Sequence, residues 1–211
     1  MAFIKSKLAR PVVQDEHQAQ PRLQRDCAHL LAALSDADPV TRRWAARDLM
    51  DCPGCSPELV TRLQDEAVLS VREIMLTTLV RLGDPAAVAG LVDCLRSDNV
   101  ALRNEAIEAM KQLPDEVAPL MAGLLGDTDP DVRIFAVNVL ESMRHPQVEA
   151  WLIGVIQTES QVNVCAAALD VLSEVGTASA REPMQQVKAR FADEPYIQFA
   201  ADLALNRVRG D

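Results

Sequence analysis

The residues with the clearest chemical potential are two cysteines in the segment Cys52-Pro53-Gly54-Cys55. Two thiols at this spacing can close a small disulfide or supply two ligands to a metal ion. A zinc or iron–sulfur site needs about four ligands. Cys27, joined by His29 or His17, can approach the loop if the helix that carries it pairs antiparallel with the next one. Three alternatives stay open: a metal site, a reversible disulfide, and ordinary loop thiols.

The other candidate groups form no recognisable constellation. The three histidines are scattered, and the sequence contains no Gly-rich phosphate loop, serine nucleophile elbow or HExxH helix. Cys94 and Cys165 fall at apolar positions of helical patterns, so we expect both to be small buried hydrophobic residues. We therefore expect no catalytic residues and no cofactor, and we favour a non-enzymatic role.

The charge of the chain is acidic but uneven. The formal net charge is −10, with 21 basic and 31 acidic residues. Residues 1–25 contain five basic and two acidic residues, a net +3, which leaves −13 for the rest. An acidic body counts against nucleic-acid binding, which needs dense Lys and Arg. We expect residues 1–21 to be a basic tail, either disordered or partner-binding, and residues 22–211 to be the folded domain.

The sequence also gives a weaker indication of where the protein is located. No apolar run approaches the ~18 residues of a membrane span, and the N-terminal residues lack the apolar centre of a secretory signal. We therefore expect a cytoplasmic protein that does not bind membranes, with its five cysteines reduced.

A repeat of about thirty residues organises the chain. An Asp-Pro pair, an Arg, a small residue and a Leu recur in the same frame at Asp38–Leu49 and Asp129–Leu140, and parts of the frame recur twice between them. The arginines stand at 42, 72, 103 and 133, at intervals of 30, 31 and 30 residues. Weaker copies run through Gln161–Leu172, which lacks the arginine, and Tyr196–Leu205. Atypical terminal copies are expected in repeat proteins.

Amphipathic segments with apolar residues three and four apart precede each copy. Low aromatic content, 3% of residues, also suits helices packed closely on helices. Prolines and N-cap residues mark the boundaries, for example Asp38, Ser56 and Asp129. We predict an all-α fold of about five to six helix pairs whose first helices are Leu23–Leu34, Pro57–Gln64, Val88–Arg96, Val117–Leu125, Val148–Gln157 and Pro183–Phe191.

The Asp-Pro, Val-Arg, small-residue and Leu motif resembles HEAT repeats of the short bacterial type also found in phycobilisome bilin lyases. The resemblance covers about residues 22–208. It implies a right-handed α–α superhelix, with first helices outside and second helices on the concave face. It also implies that the arginine bridges acidic groups in the turns. We therefore interpret Arg42, Arg72, Arg103 and Arg133 as a structural column, and expect Arg103→Ala to destabilise the middle repeats by about 1–3 kcal/mol.

The second helices should expose side chains one, five and eight positions after each arginine. This predicts a partner-binding surface of basic residues followed by mixed polar and apolar ones: Arg43, Arg47, Glu73, Thr77, Asn104, Glu108, Lys111, Ile134, Asn138 and Glu141. We interpret Trp44, Phe135 and Trp151 as part of helix packing rather than as a base-stacking platform.

The sequence thus favours a bacterial scaffold or adaptor in a signalling or protein-maturation complex. Its partner would be a protein that offers a basic patch or an extended segment. Two alternatives remain: a bilin-lyase-like subunit that matures a chromophore or cofactor, and a redox or metal sensor acting through Cys52 and Cys55.

Overall fold

The computed structural model describes residues 26–208, which form twelve α-helices and two short 3₁₀ turns and contain no strand. The helices are α1 (Cys27–Ala33), α2 (Pro39–Asp48), α3 (Ser56–Asp65), α4 (Leu69–Leu82), α5 (Pro85–Cys94), α6 (Val100–Met110), α7 (Pro114–Leu125), α8 (Pro130–Leu140), α9 (Val148–Thr158), α10 (Val162–Val175), α11 (Arg181–Arg190) and α12 (Pro195–Arg207). The 3₁₀ turns are Leu49–Asp51 and Ala178–Ala180. The tail at residues 1–21 and His17 lie outside the described residues. The first helix, predicted from Leu23, begins instead at Cys27, because Asp26 is its non-helical N-cap and accepts from the Ala28 N–H.

The twelve helices form six consecutive pairs, which we number repeats one to six. The second helices α2, α4, α6, α8, α10 and α12 each pack on the next. The first helices form a separate layer, in which α3 packs on α5, α5 on α7, and α9 on α11. This translational stacking confirms the predicted all-α solenoid. No helix within residues 26–208 is long and apolar enough to cross a membrane.

The helix starts follow the predicted capping chemistry with one exception. Asp38 and Asp129 accept backbone N–H bonds at the N-termini of α2 and α8, as predicted, and Asp84 does the same for α5. Ser56 does not cap α3, because its hydroxyl donates to the carboxylate of Asp84 at 2.7 Å. Cys55 holds the N-cap position instead, without a side-chain bond.

Two first helices begin earlier in the sequence than predicted, and each begins at a proline. Helix α5 begins at Pro85 rather than Val88, and α7 begins at Pro114 rather than Val117. Proline fits the first helical position because its fixed φ is already helical and its missing N–H has no partner there. Pro85 and Pro114, which mark repeat boundaries in the sequence, are therefore the first residues of helices.

The core is a continuous layer of Leu, Ala, Val and Met between the two sets of helices. Helices approach closely where residues are small. Gly90 of α5 lies against Val60 of α3, and a Cβ atom at Gly90 would sit 2.1 Å from the Val60 Cγ2 atom. Such contacts leave little room for rings, which accounts for the low aromatic content.

Candidate partner-binding face

The second helices are held in register by arginines that join consecutive repeats. Arg42 donates to the backbone carbonyl oxygens of Asp36 and Ala37 at 2.9 and 3.1 Å. Its Nε and Nη2 atoms donate to both carboxylate oxygens of Glu66 at 2.7 and 2.8 Å. Glu66 belongs to the turn of repeat two, so the guanidinium group bridges two turns. Bidentate, buried pairs of this kind fix geometry as well as adding energy.

Arg133 makes the same type of bridge, and Arg72 makes a variant in which the acid, Glu105, lies on helix α6 rather than in a turn. Arg72 donates to the carbonyl oxygens of Glu66 and Ala67, and holds both carboxylate oxygens of Glu105 at 2.9 Å. Arg133 holds Glu159 at 2.6 and 3.2 Å. The acidic partner therefore comes from the following repeat. The side chain of an acid in the same turn, such as Asp36, serves instead to cap its own turn by accepting from the Asp38 backbone N–H.

Arg103 departs from this pattern. Its Nη1 atom donates to the Ser97 carbonyl oxygen, but its Nε atom is buried without a hydrogen-bond partner in the described structure. The acid that repeat register would supply is Asp127. That carboxylate instead pairs with Arg96 and accepts from the Asp129 N–H at 2.9 Å. The Arg103 guanidinium lies over the Phe135 ring, 5.4 Å from its centroid.

Repeat five lacks the arginine but keeps its bonds through a different residue. Cys165 occupies the arginine position, and its thiol donates to the Glu159 carbonyl oxygen at 3.4 Å. Arg190 reaches across from α11 and donates to the carbonyl oxygens of Ile156, Gln157 and Glu159. The sequence pattern did not reveal this substitution, because Arg190 is 25 residues from Cys165.

Ion pairs and hydrogen bonds lower the pKa values of the bridging carboxylates Glu66 and Glu159. The guanidinium of Arg42 holds the pKa of Glu66 below its ordinary value, against the effect of burial. At Glu159 burial opposes the charged form, but bonds from Arg133 and from backbone N–H groups still lower the pKa. Both carboxylates are therefore ionised near neutral pH.

The bridges orient one surface, which we call the second-helix face. It consists of the side chains one, five and eight positions after each repeat arginine, or after Cys165 and Gln198, which hold that position in repeats five and six. Most predicted binding residues are exposed there, and three are half-buried. The exposed ones are Arg43, Arg47, Glu73, Thr77, Asn104, Glu108 and Glu141, and the half-buried ones are Lys111, Ile134 and Asn138.

Contacts within the chain reduce the charge that this face presents. Lys111 bonds to Glu108 at 2.8 Å and to Glu141 at 3.1 Å, so one cation serves two carboxylates in repeats three and four. Arg47 bonds to Asp48 and lies over the Trp44 ring, 4.1 Å from its centroid. The face is thus basic at Arg43 and acidic through the middle repeats.

The repeat register also identifies residues that the sequence reading left out. The predicted binding residues all belong to repeats one to four. In repeat five the equivalent positions are Ala166, Asp170 and Ser173, and in repeat six they are Phe199, Leu203 and Asn206. Phe199 is 65% exposed. The signal that locates it is its place one residue after Gln198, the counterpart of the repeat arginine.

The aromatic side chains occupy different environments. Phe135 and Trp151 pack partly against the core, and Trp151 stacks on His145 with ring centroids 5.0 Å apart. Trp44, expected in helix packing, is instead 47% exposed. Its counterparts in later repeats, such as Glu105 and Phe135, contact the arginine of the preceding repeat, whereas Trp44 belongs to the first described pair.

The cysteines are arranged differently from the sequence expectation. Cys52 forms a disulfide with Cys27, with Cα atoms 5.8 Å apart, so a Cys52–Cys55 disulfide is excluded in this structure and the five thiols are not all reduced. Cys55 is buried, its thiol donates to the Leu49 carbonyl oxygen at 3.5 Å, and burial raises the pKa of the thiol. A raised pKa lowers thiolate content and hence reactivity.

The remaining cysteines are buried, as predicted. Cys94 and Cys165 have no exposed surface, and burial raises the pKa of the Cys94 thiol to about 11. Within residues 26–208 no group of three or more His, Cys, Asp or Glu side chains is placed to hold a metal ion.

Comparison with known proteins finds one similar sequence and several similar structures. The chain is 25% identical to phycocyanin operon protein Z of Pseudanabaena tenuis (strain PCC 7409), in an alignment that covers 78% of this chain and 85% of that protein. The designed armadillo repeat protein YIII(Dq)4CqI has a TM-score of 0.39 and 15% identity, with 87% of this chain and 100% of that chain covered. The complex of CpcE and CpcF of phycocyanin lyase from Nostoc sp. PCC7120 has a TM-score of 0.39 and 17% identity, with 92% and 99% covered.

The family comparison covers most of the chain. The model described as HEAT repeats matches residues 27–111 and 117–207. Apart from the first three residues of α7, these ranges contain the described helices and all four repeat arginines. The chain therefore belongs to the HEAT-repeat family.

Proposed function

We propose that this protein is a non-catalytic scaffold or adaptor that binds a partner protein on its second-helix face. The observation that carries the proposal is the register of that face. Six second helices stack side by side, and most of the equivalent positions are exposed or half-buried, with Ala166 the buried exception among the described residues. A long, evenly spaced surface of this kind suits an extended segment or a helix of another protein.

The charge of the face indicates the kind of partner. Arg43 adds positive charge at one end, while Glu73, Glu108, Glu141 and Asp170 add negative charge along the rest. Lys111 offsets part of that negative charge through its bonds to Glu108 and Glu141. A partner segment with basic residues would gain attraction over most of this length and would be steered onto it at low salt. We place such a partner in a bacterial signalling or protein-maturation complex.

Charge reversal on the two helix layers tests the proposal. The double variant Glu73→Lys with Glu108→Lys changes the second-helix face. The control Asp93→Lys with Asp115→Lys makes the same change in charge at exposed positions of α5 and α7 in the other layer. We expect a partner captured from the source cells by the wild-type protein and the control to be lost by the first variant. Equal capture by all three proteins contradicts the proposal.

A second candidate is a subunit that acts in bilin attachment or related chromophore maturation. The observation that favours it is the relative from a phycocyanin operon, which aligns over 85% of its own length. Incubation of the protein with a free bilin and a bilin-free phycocyanin subunit tests it by the absorbance of the attached chromophore. Absence of attachment, and of any complex with the phycocyanin subunit, removes this candidate and leaves the scaffold proposal standing.

The redox alternative is retained in an altered form. The exchangeable bond would be Cys27–Cys52, with Cys55 as a buried neighbour in sequence.

A further inference from the structure

The last second helix carries large apolar side chains on an exposed side. Tyr196, Phe199 and Leu203 of α12 are 54%, 65% and 36% exposed. They are three and four residues apart, a spacing that puts side chains on one side of a helix. We call these three residues the C-terminal apolar patch. Isolated exposed apolar residues are common, but three neighbours form the kind of contiguous surface that marks an interaction site.

The C-terminal apolar patch does not lie on the surface that stacks against a neighbouring repeat. In repeat one the position four residues after the arginine is Ala46, whose backbone carbonyl oxygen accepts a hydrogen bond from the hydroxyl of Thr78 in repeat two at 2.8 Å, so this part of α2 lies against α4. This position is buried in repeats one to five, where it holds Ala46, Leu76, Ile107, Val137 and Leu169.

In repeat six the same position holds a charged residue. Asp202 is exposed and bonds to Lys188 at 2.5 Å. A polar residue here closes the end of a repeat stack. Another helix pair, or the end of a second copy, would have to bury this ion pair. Phe199 and Leu203 point elsewhere, since they occupy the first and second positions of the second-helix face.

A carboxylate without a cation lies in the neighbouring repeat. Asp170 holds in α10 the position that Leu203 holds in α12, and the two helices pack together. Within residues 26–208 its carboxylate has no salt-bridge partner, and partial desolvation by the surrounding chain raises its pKa although the residue is exposed. By contrast, the nearby Glu174 is paired with Arg207. A cation from a partner would relieve the unfavourable environment of the Asp170 carboxylate.

We propose that the C-terminal apolar patch and Asp170 anchor a segment of a partner protein in which a bulky apolar residue lies next to lysine or arginine. This inference rests on the proposed function and specifies where along the second-helix face the partner is held most firmly. Phe199 supplies apolar area that the partner covers, and aromatic residues commonly dominate such contacts. Asp170 and the acidic middle repeats select cationic segments and repel acidic ones.

Random peptides displayed on phage and selected against the intact protein provide the probe. We expect the enriched peptides to combine an aromatic or large aliphatic residue with Lys or Arg. Calorimetry of a synthetic enriched peptide should show affinity falling roughly tenfold, equivalent to about 1.4 kcal/mol, in Phe199→Ser. Asp170→Asn should weaken binding several-fold and reduce its salt dependence. Both residues are exposed, so neither change should alter the fold.

Matched controls separate the patch from general surface effects. Val100→Ser changes an apolar residue that is 58% exposed on α6, and Asp115→Asn removes a carboxylate from α7. Neither should alter the affinity. Enrichment of acidic peptides, or full binding by Phe199→Ser, overturns the proposal. Self-association of the wild-type protein that Phe199→Ser abolishes also overturns it, because the occupant would then be a second copy.

The failure of this inference can be told apart from failure of the proposed function. Peptides that lose binding in the Glu73→Lys and Glu108→Lys variant but not in Phe199→Ser leave the scaffold proposal intact and refute the anchor. Peptides that bind all these variants equally refute both.

Discussion

Replacement of two equivalent arginines by methionine should have very different effects on stability. Methionine keeps much of the aliphatic volume but removes the charge and every donor. In Arg42→Met the Glu66 carboxylate, whose side chain is 1% exposed, loses its bidentate partner. Breaking a buried ion pair by removing one partner costs about 3–5 kcal/mol. Arg62, 3.3 Å from Glu66, still offers a cation, so we expect the lower end, about 3 kcal/mol.

Arg103→Met should cost much less. The guanidinium of Arg103 has one hydrogen bond to a carbonyl oxygen and no carboxylate partner among the described residues. Loss of that bond costs about 1 kcal/mol. Its removal also eliminates a buried Nε atom that lacks a partner, which stabilises by a comparable amount. We therefore expect a net change within about 1 kcal/mol, below the range that the repeat pattern alone suggested.

Urea unfolding followed by far-UV circular dichroism at neutral pH measures both differences in the free energy of unfolding. Hydrogen exchange of α2 and α6 then shows whether each loss is confined to its own repeats, since stability in stacked repeats is a sum of local and interface contributions. Equal destabilisation by the two substitutions would refute the reasoning, because it would mean that the cross-repeat carboxylate contributes nothing.

Three further predictions concern pH, the disulfide and close packing. The folded-state pKa values of Glu66 and Glu159 lie below the ordinary 4.5. The stability that these carboxylates contribute is therefore present above that pH and is lost as the pH falls through the lowered values. Melting temperatures measured between pH 3 and pH 7 should drop less steeply in Glu66→Gln than in the wild type. Reduction of the Cys27–Cys52 disulfide, which spans a separation of 25 residues, should destabilise the first repeat by roughly 3–4 kcal/mol. A melting temperature that dithiothreitol leaves unchanged contradicts this. Cys27→Ala, which lacks the disulfide, is the control that should not respond to the reductant. Gly90→Ala should cost about 1–3 kcal/mol through its clash with the α3 valine, as measured by urea unfolding, with partial recovery when that valine is also shortened to alanine.

Much of the architecture follows from local sequence. The spacing of Arg42, Arg72, Arg103 and Arg133 defined the repeat, and the Asp-Pro pairs located the starts of α2 and α8 correctly. Apolar periodicity distinguishes helices from strands because a helix and a strand bury different spacings of residues. The positions of the second-helix face follow from the same periodicity, since side chains one, five and eight places after the arginine share one side of a helix.

The helical class and the outward positions could be predicted because they depend on residues within one or two helical turns, and the repeat because the same local motif recurs along the chain. The partners that meet across repeats could not be predicted: Arg42 with Glu66, Arg190 in place of a missing arginine, and Cys27 rather than Cys55 with Cys52. These pairs are separated by 24 to 31 residues, and several acids of similar type compete for each cation. Which of them lies within hydrogen-bond distance is set by the rotation and offset between stacked helices, and no local pattern encodes that geometry.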